Sequence, residues 1–67
     1  MKLNKLKAKL REYDFNYRDF SKKIKSNVSS FNNKINGKIP FNSKEIAKIK
    51  KILNLTNDEV VEIFINE

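Results

Sequence analysis

The spacing of apolar residues predicts a helix at the start of the chain. Four of them follow the i, i+3, i+7, i+10 spacing that places side chains along one side of a helix: Leu3, Leu6, Leu10 and Tyr13. This stripe predicts helix 1 over about residues 2–13. Asn16 is a good N-cap, and Phe20 and Ile24 lie four positions apart behind it. We therefore expect helix 2 over about residues 17–24.

Turn and capping residues divide the second half of the chain. Gly37 is the only glycine, and together with Pro40 it should end a helix, because glycine adopts left-handed backbone angles freely and proline interrupts helices. Two later pairs have the spacing of a capping box: Asn42 with Glu45, and Thr56 with Glu59. They predict two further helices: helix 4 over about residues 43–53 and helix 5 over about residues 57–65. The predicted fold class is all-α.

The segment between Asn16 and Asn36 allows two interpretations. Its apolar residues are spaced by four, three and four positions, so they could line one continuous helix: Ile24, Val28, Phe31 and Ile35. Against this, serine and asparagine are dense here, and their side chains compete for backbone hydrogen bonds and prefer caps and turns. A break near Lys25, with Asn27 capping a short helix 3 over about residues 28–36, places serine and asparagine at the caps and turns that they prefer. We therefore expect two helices joined by a short turn.

Composition argues against catalysis. The chain has 67 residues, enough for one small domain, and it contains neither cysteine nor histidine. Thiol nucleophiles, imidazole bases and the usual zinc ligands are therefore missing. The serines at positions 26, 29 and 30 have no candidate base nearby except lysine. We expect no enzymatic activity, no metal site and no cofactor.

Charge is concentrated in the first part of the chain. Residues 1–40 carry eleven Lys/Arg against three acids, for +8, and residues 41–67 carry four against five, for −1. This asymmetry predicts an anionic partner, either nucleic acid or an anionic membrane, for one side of the molecule. No apolar run approaches a membrane span, and the basic start is not followed by the apolar stretch of a signal peptide. We expect a cytoplasmic protein.

The stretch FNYRDFSKKIKSNVSSFNNKINGK resembles the helix-turn-helix of the Cro and phage-repressor (XRE-type) family of bacterial and phage transcriptional regulators. The register from Phe20 to Lys38, ending in Asn-Gly-Lys, is its most specific part, and the flanking predicted helices extend the likeness over nearly the whole chain. The resemblance implies one helix-turn-helix domain over residues 1–67, a compact five-helix lambda-repressor-like fold. It also implies a Cro-like or compact repressor that acts at the nucleoid of a bacterial host.

The resemblance assigns roles to individual residues, with helix 3 in the major groove of an operator in double-stranded DNA. Base contacts are expected from Val28, Ser29, Asn32 and Asn33. An asparagine amide can pair with adenine N6 and N7, which contributes roughly 1–3 kcal/mol of discrimination. Phosphate contacts are expected from Asn16, Tyr17, Lys22, Asn27, Lys34, Asn36, Lys38 and Ser43. A homodimer is expected, with surplus apolar residues of helix 5 as the candidate contact: Val61, Ile63 and Ile65.

Two positions depart from the family pattern. Lys25 stands where glycine is usual, so we expect a left-handed lysine at a cost on the order of 1 kcal/mol. Ser26 stands where an apolar residue is usual, which leaves two placements open for Val28, facing outward or covering the gap. The expected core residues are Leu10, Phe20, Ile24, Phe31 and Ile35.

Two other functions compete with DNA binding. Helix 3 lacks arginine and glutamine, which suits a protein-interaction module, such as an antitoxin or anti-repressor, that keeps the helix-turn-helix as a scaffold. The first thirteen residues, MKLNKLKAKLREY, could instead form a membrane-active cationic helix. That helix would need its leucine stripe exposed, whereas a folded five-helix domain would bury it.

Overall fold

Every helix after the first begins at a side chain that caps it. The computed structural model describes residues 2–65, in which Asn16, Asn27, Asn42 and Thr56 each accept a hydrogen bond from the backbone N–H three positions on. The helices are α1 Leu3–Glu12, α2 Tyr17–Lys23, α3 Val28–Ile35, α4 Ser43–Ile52 and α5 Asn57–Val60, which continues as a π-helical turn, Val61–Ile65. The described residues form no strand. The all-α prediction is confirmed.

Because α2 ends at Lys23 and α3 begins at Val28, the alternative of one continuous helix over residues 16–36 is wrong. Lys25 lies between them with φ of +56°, in the left-handed region expected for it. Ser26 N–H then donates to the carbonyl of Ser21 at 2.8 Å, the bond that closes a helix C-terminus after a left-handed residue. The turn therefore needs a left-handed residue, and lysine fills that position at a conformational cost.

Three other helices end in the same way, with a left-handed residue followed by a closing hydrogen bond. α1, α3 and α4 are each followed by a residue with positive φ: Asp14, Gly37 and Asn54. The next residue in each case donates back to a carbonyl five positions earlier. Only one of these positions is a glycine, because aspartate and asparagine tolerate the left-handed region better than most residues.

The core draws apolar side chains from α1 to α4 and from the π-helical turn. Each is at most 8% exposed: Leu6, Leu10, Phe20, Ile24, Phe31, Ile35, Ile49, Leu53, Leu55, Ile63 and Phe64. This set contains all five expected core residues. Phe31 of α3 is central, since its ring centroid lies 5.5 Å from that of Tyr17 and 5.6 Å from that of Phe20. Phe41 lies 6.0 Å from Phe31 on the other side. The aromatic cluster thus fixes α3 against the rest of the fold.

The two ends of the described chain meet. The backbone N–H of Lys2 donates to the carbonyl of Ile63 at 3.1 Å. Ile63 is only 1% exposed, so the expectation that it lies on a dimer surface does not hold. The reason is helical spacing: Ile63 lies three positions after Val60 and next to Phe64, and these three residues share the side that packs on the core. Val61 and Ile65 remain exposed, at 40% and 64%.

The stripe along α1 is also buried, with Leu6 at 0% and Leu10 at 1% exposure. Tyr13 departs from the predicted stripe and is 41% exposed, because α1 ends at Glu12 and Tyr13 belongs to the turn. Leucines packed into the core are not available to a lipid surface. Among residues 2–65, no helix has the length and apolar character needed to cross a bilayer.

Candidate nucleic-acid interface

α3 has one buried side and one exposed, uncharged side. Phe31 and Ile35 are 0% exposed and hold the helix on the core. The exposed side brings the four predicted base contacts onto one surface: Val28, Ser29 and Asn32, which are exposed, and Asn33, which is half-buried. Ser29, Asn32 and Asn33 offer hydroxyl or amide groups, which both donate and accept hydrogen bonds, and Val28 offers an apolar surface.

Val28 is 37% exposed, which decides the question that the sequence left open. It faces outward at the start of α3 and does not fill the space beside Ser26, which is half-buried. A shallow groove therefore remains between the two helices, lined by Arg18, Ser21, Lys22, Ser26, Asn27 and Val28. The small side chains of Ser21 and Ser26 give this groove part of its polar lining.

The N-termini of α2 and α3 carry backbone amides for which the described residues provide no acceptor. Asn27 Oδ1 accepts from Ser30 N–H at 2.7 Å, and Asn16 Oδ1 accepts from Asp19 N–H at 2.7 Å. The backbone N–H groups of Asn16 and Asn27 themselves find no acceptor within residues 2–65. Unpaired N–H groups at a helix start attract anions, and phosphate is a common one.

Lys34 departs from its predicted role, because its ammonium does not point to solvent. Nζ lies 2.6 Å from Oε2 of Glu45 at the start of α4, and the lysine side chain is only 16% exposed. Oε1 of Glu45 accepts from Asn42 N–H at 3.0 Å, which completes the predicted capping box. Burial alone would raise the pKa of Glu45, but the hydrogen bonds from Lys34 and Asn42 lower that pKa below its ordinary value. Lys34 therefore joins α3 to α4 and is withdrawn from phosphate.

The remaining predicted phosphate contacts lie on the surface. Four of them are exposed side chains: Lys22, Asn36, Lys38 and Ser43. Tyr17 is half-buried, because its ring packs edge-on against Phe31. Asn36 and Lys38 flank Gly37, whose φ of +82° turns the chain away from α3. They therefore sit directly after the C-terminus of the helix predicted to read bases.

The basic side chains differ in whether the protein already neutralises them. In the described part of the chain, ion pairs at 4.0 Å or less involve the lysines at positions 2, 5, 9 and 34. None involves the basic residues of the α2–α3 region: Arg18, Lys22, Lys23 and Lys25. Lys23 instead lies 5.7 Å from the ring centroid of Phe15. Positive charge that no carboxylate pairs within residues 2–65 therefore lies beside the exposed face of α3, and also on α4, at Lys44, Lys48, Lys50 and Lys51.

Comparisons of the chain with protein-family models, with curated proteins and with solved structures gave no match. Within residues 2–65, acidic side chains do not gather in any group that could hold a metal ion. The candidate interface is therefore defined by its own geometry: an uncharged polar helix face, two helix starts with unpaired amides, and nearby unpaired cations.

Proposed function

We propose that this chain is a sequence-specific regulator of transcription that binds double-stranded DNA, a Cro-like protein or compact repressor. In this proposal α2 and α3 act as a helix-turn-helix, and α3 enters the major groove. The observation that carries it is the exposed side of α3, which is polar, uncharged and flanked by unpaired cations. α4, which also packs on the core, instead exposes charged side chains: Lys44, Lys48 and Lys51.

The chemistry of that side matches base edges. Asn32 can donate its amide N–H to adenine N7 and accept from adenine N6, and Asn33 can do the same. Each such pair contributes roughly 1–3 kcal/mol of discrimination between bases. Ser29 can donate or accept, and an outward Val28 can pack on the methyl group of thymine. The interface therefore favours A·T pairs near the centre of α3.

Phosphates would be held around this reading surface. The unpaired backbone amides of Asn16 and Asn27 suit phosphate oxygens, and Lys22 and Lys38 supply charge. Lys34 is left out because Glu45 holds it. With about five phosphates per half-site, a homodimer would show a salt slope near −9, since each neutralised phosphate contributes about −0.9. The exposed Val61 and Ile65 are the proposed dimer contact on a two-fold operator.

The test is a competition gel shift with duplexes that the wild-type chain selects from a randomised library, together with the DNA beside its own gene. We expect tight binding to selected duplexes, weak binding to unrelated DNA, and a steep loss of affinity between about 50 and 200 mM salt. The Asn32→Ala/Asn33→Ala variant should lose most of the preference for selected DNA, by roughly 10- to 100-fold or more. Equal affinity of the wild type for selected and unrelated duplexes would refute the proposal.

A matched control is Asn57→Ala, which removes an exposed amide from α5, outside the α2–α3 region. It should leave the preference unchanged. A second candidate function, a protein-interaction module, is favoured by one observation, the apolar side chain of Val28 on the outward side of α3. If the double Asn variant lost nothing on DNA while Val28→Asp abolished capture of a protein partner, that second function would replace the first.

A further inference from the structure

α1 carries basic side chains on both sides of its buried leucine stripe. Successive residues on an α-helix are rotated by about 100°, so positions 4, 7 and 11 share one flank and positions 2, 5 and 9 share the other. We call Asn4, Lys7 and Arg11 the free flank, and Lys2, Lys5 and Lys9 the paired flank. Leu6 and Leu10 lie between the two flanks and are buried.

The paired flank is neutralised by the C-terminal part of the fold. Lys2 and Lys5 form ion pairs with Glu62, and Lys9 Nζ lies 3.1 Å from Oε2 of Glu59. The hydrogen bond with Glu59 raises the pKa of Lys9 above its ordinary value, with a further contribution from the charge of Glu12. This flank therefore serves to join α1 to α5 and the π-helical turn.

The free flank has no acidic neighbour of this kind. Within residues 2–65, neither Lys7 nor Arg11 lies within 4.0 Å of a carboxylate. Lys7 lines two surface grooves. One groove runs between α1 and the start of α2, where Lys7 and Arg11 meet Tyr17. The other runs between α1 and the end of α3, and Lys7 lines it together with Asn36 and Gly37 and with Lys2 and Lys5 of the paired flank.

Lys7 thus lies between two residues already expected to contact phosphate, Tyr17 and Asn36. These belong to different helices, α2 and the turn after α3, and the free flank of α1 closes the gap between them. The close packing of α1 on this turn is shown by Gly37, where an added Cβ would lie 3.7 Å from Leu3 Cδ1. The free flank therefore places the positive charge of Lys7 and Arg11 beside two of the expected phosphate contacts, Tyr17 and Asn36.

We propose that the free flank of α1, through Lys7 above all, binds the phosphate backbone of the same DNA duplex that α3 reads. This inference rests on the proposed function, and it adds α1 to an interface otherwise formed by α2, α3 and the loop to α4. The contact is electrostatic, so it strengthens binding to every sequence alike and carries no base preference.

The experiment compares Lys7→Gln with Lys9→Gln in the full chain. Both lysines are half-buried on the same helix and both changes remove one charge, but Lys9 belongs to the paired flank. Affinity for a selected duplex and for an unrelated duplex is measured from about 50 to 200 mM salt. Lys7→Gln should reduce the magnitude of the salt slope by about 0.9 per protomer and weaken both duplexes by the same factor. Lys7→Arg should restore the slope, and Lys9→Gln should leave it unchanged.

The outcomes separate the inference from the proposed function. If the wild type prefers selected DNA but Lys7→Gln and Lys9→Gln have the same slope, the α1 contact is refuted and the DNA-binding function stands. If Lys7→Gln weakens selected DNA only, Lys7 reads sequence and the phosphate assignment is refuted. If the wild type shows no preference and no salt dependence, both proposals fall. Thermal unfolding by circular dichroism checks that all three variants are folded.

Discussion

α3 and α4 both begin with an asparagine N-cap, but they differ in whether the backbone N–H of that asparagine is hydrogen-bonded. Asn42 of α4 has its backbone N–H bound by Glu45, which also pairs with Lys34. Asn27 of α3 has Ser30 at the corresponding position, and within residues 2–65 its backbone N–H finds no acceptor. We therefore call the start of α4 completed, because the backbone N–H of its N-cap residue is hydrogen-bonded, and the start of α3 open.

The same contrast divides the other two capped helices. α5 is completed by Glu59, whose pKa is lowered by the hydrogen bond from Thr56 N–H and by Lys9, whereas α2 leaves Asn16 N–H open. The two open starts belong to the adjacent helices α2 and α3, and the two completed starts belong to α4 and α5. In the proposed function, the open starts of α2 and α3 are the ones that offer donors to phosphate.

The largest expected effect comes from separating α3 from the core. Phe31→Ala removes the ring that contacts Tyr17, Phe20 and Phe41, and should cost about 3–5 kcal/mol of unfolding free energy. A chain of this size has only about 5 kcal/mol or little more in total, so we expect it to be largely unfolded at 25 °C. Asn32→Ala, on the exposed side of the same helix, should change stability by no more than about 0.5 kcal/mol. Urea unfolding, monitored by circular dichroism, measures the stability of both variants. Equal losses of unfolding free energy would contradict the assignment of a buried and an exposed side to α3.

The next effect tests the completed start of α4. Lys34→Met leaves the Glu45 carboxylate, with 9% side-chain exposure, without its cation, and should cost about 1–3 kcal/mol near neutral pH. Because the pKa of Glu45 in the fold is below its ordinary 4.5, the contribution of the pair is complete above about pH 4.5 and is lost as pH falls through the lowered pKa. The difference in stability between wild type and variant should therefore shrink from about pH 6 to about pH 3.

Lys38→Met is the control for that measurement, since Lys38 is exposed and makes no ion pair within the described residues. It should leave stability nearly unchanged at every pH. A gap between wild type and Lys34→Met that stayed constant down to pH 3 would show that Glu45 does not depend on Lys34.

The smallest effect concerns the turn between α2 and α3. Lys25→Gly removes the cost of a left-handed lysine and should stabilise the fold by about 0.5–1 kcal/mol, or a few degrees in Tm. Lys23→Gly makes the same chemical change in the last residue of α2, where glycine should destabilise by about 0.5–1 kcal/mol. Thermal melts that moved in the same direction for both variants would contradict the assignment of strain to Lys25.

Local signals in the sequence were sufficient for the helices. Asn16, Asn27, Asn42 and Thr56 all cap as predicted, because their hydrogen bonds reach only three residues along the chain. The helical stripes likewise identified the central core, apart from Tyr13. Such features depend on near neighbours, which a sequence states directly.

Contacts between distant segments were not predictable in this way. Lys34 was expected on phosphate, since nothing in its neighbourhood reveals Glu45 eleven positions later. Ile63 was expected at a dimer contact with Val61 and Ile65, whereas it packs in the core beside Phe64. The spacing of the lysines along α1 does not distinguish Lys7 from the others. The distinction comes from ion pairs with residues at least fifty positions away, which Lys9 forms with α5 and which Lys2 and Lys5 form with the π-helical turn.

The central claim, that the amides of α3 read bases, is tested most directly by a double-mutant cycle between protein and DNA. An adenine in the selected duplex is replaced by 7-deazaadenine, which lacks the N7 acceptor, and binding is measured with wild type and with Asn32→Ala. We predict a position at which the two changes do not add, with a coupling free energy of about 1 kcal/mol or more, because each removes the same hydrogen bond. Additive effects at every adenine, for Asn32→Ala and likewise for Asn33→Ala, would contradict the account.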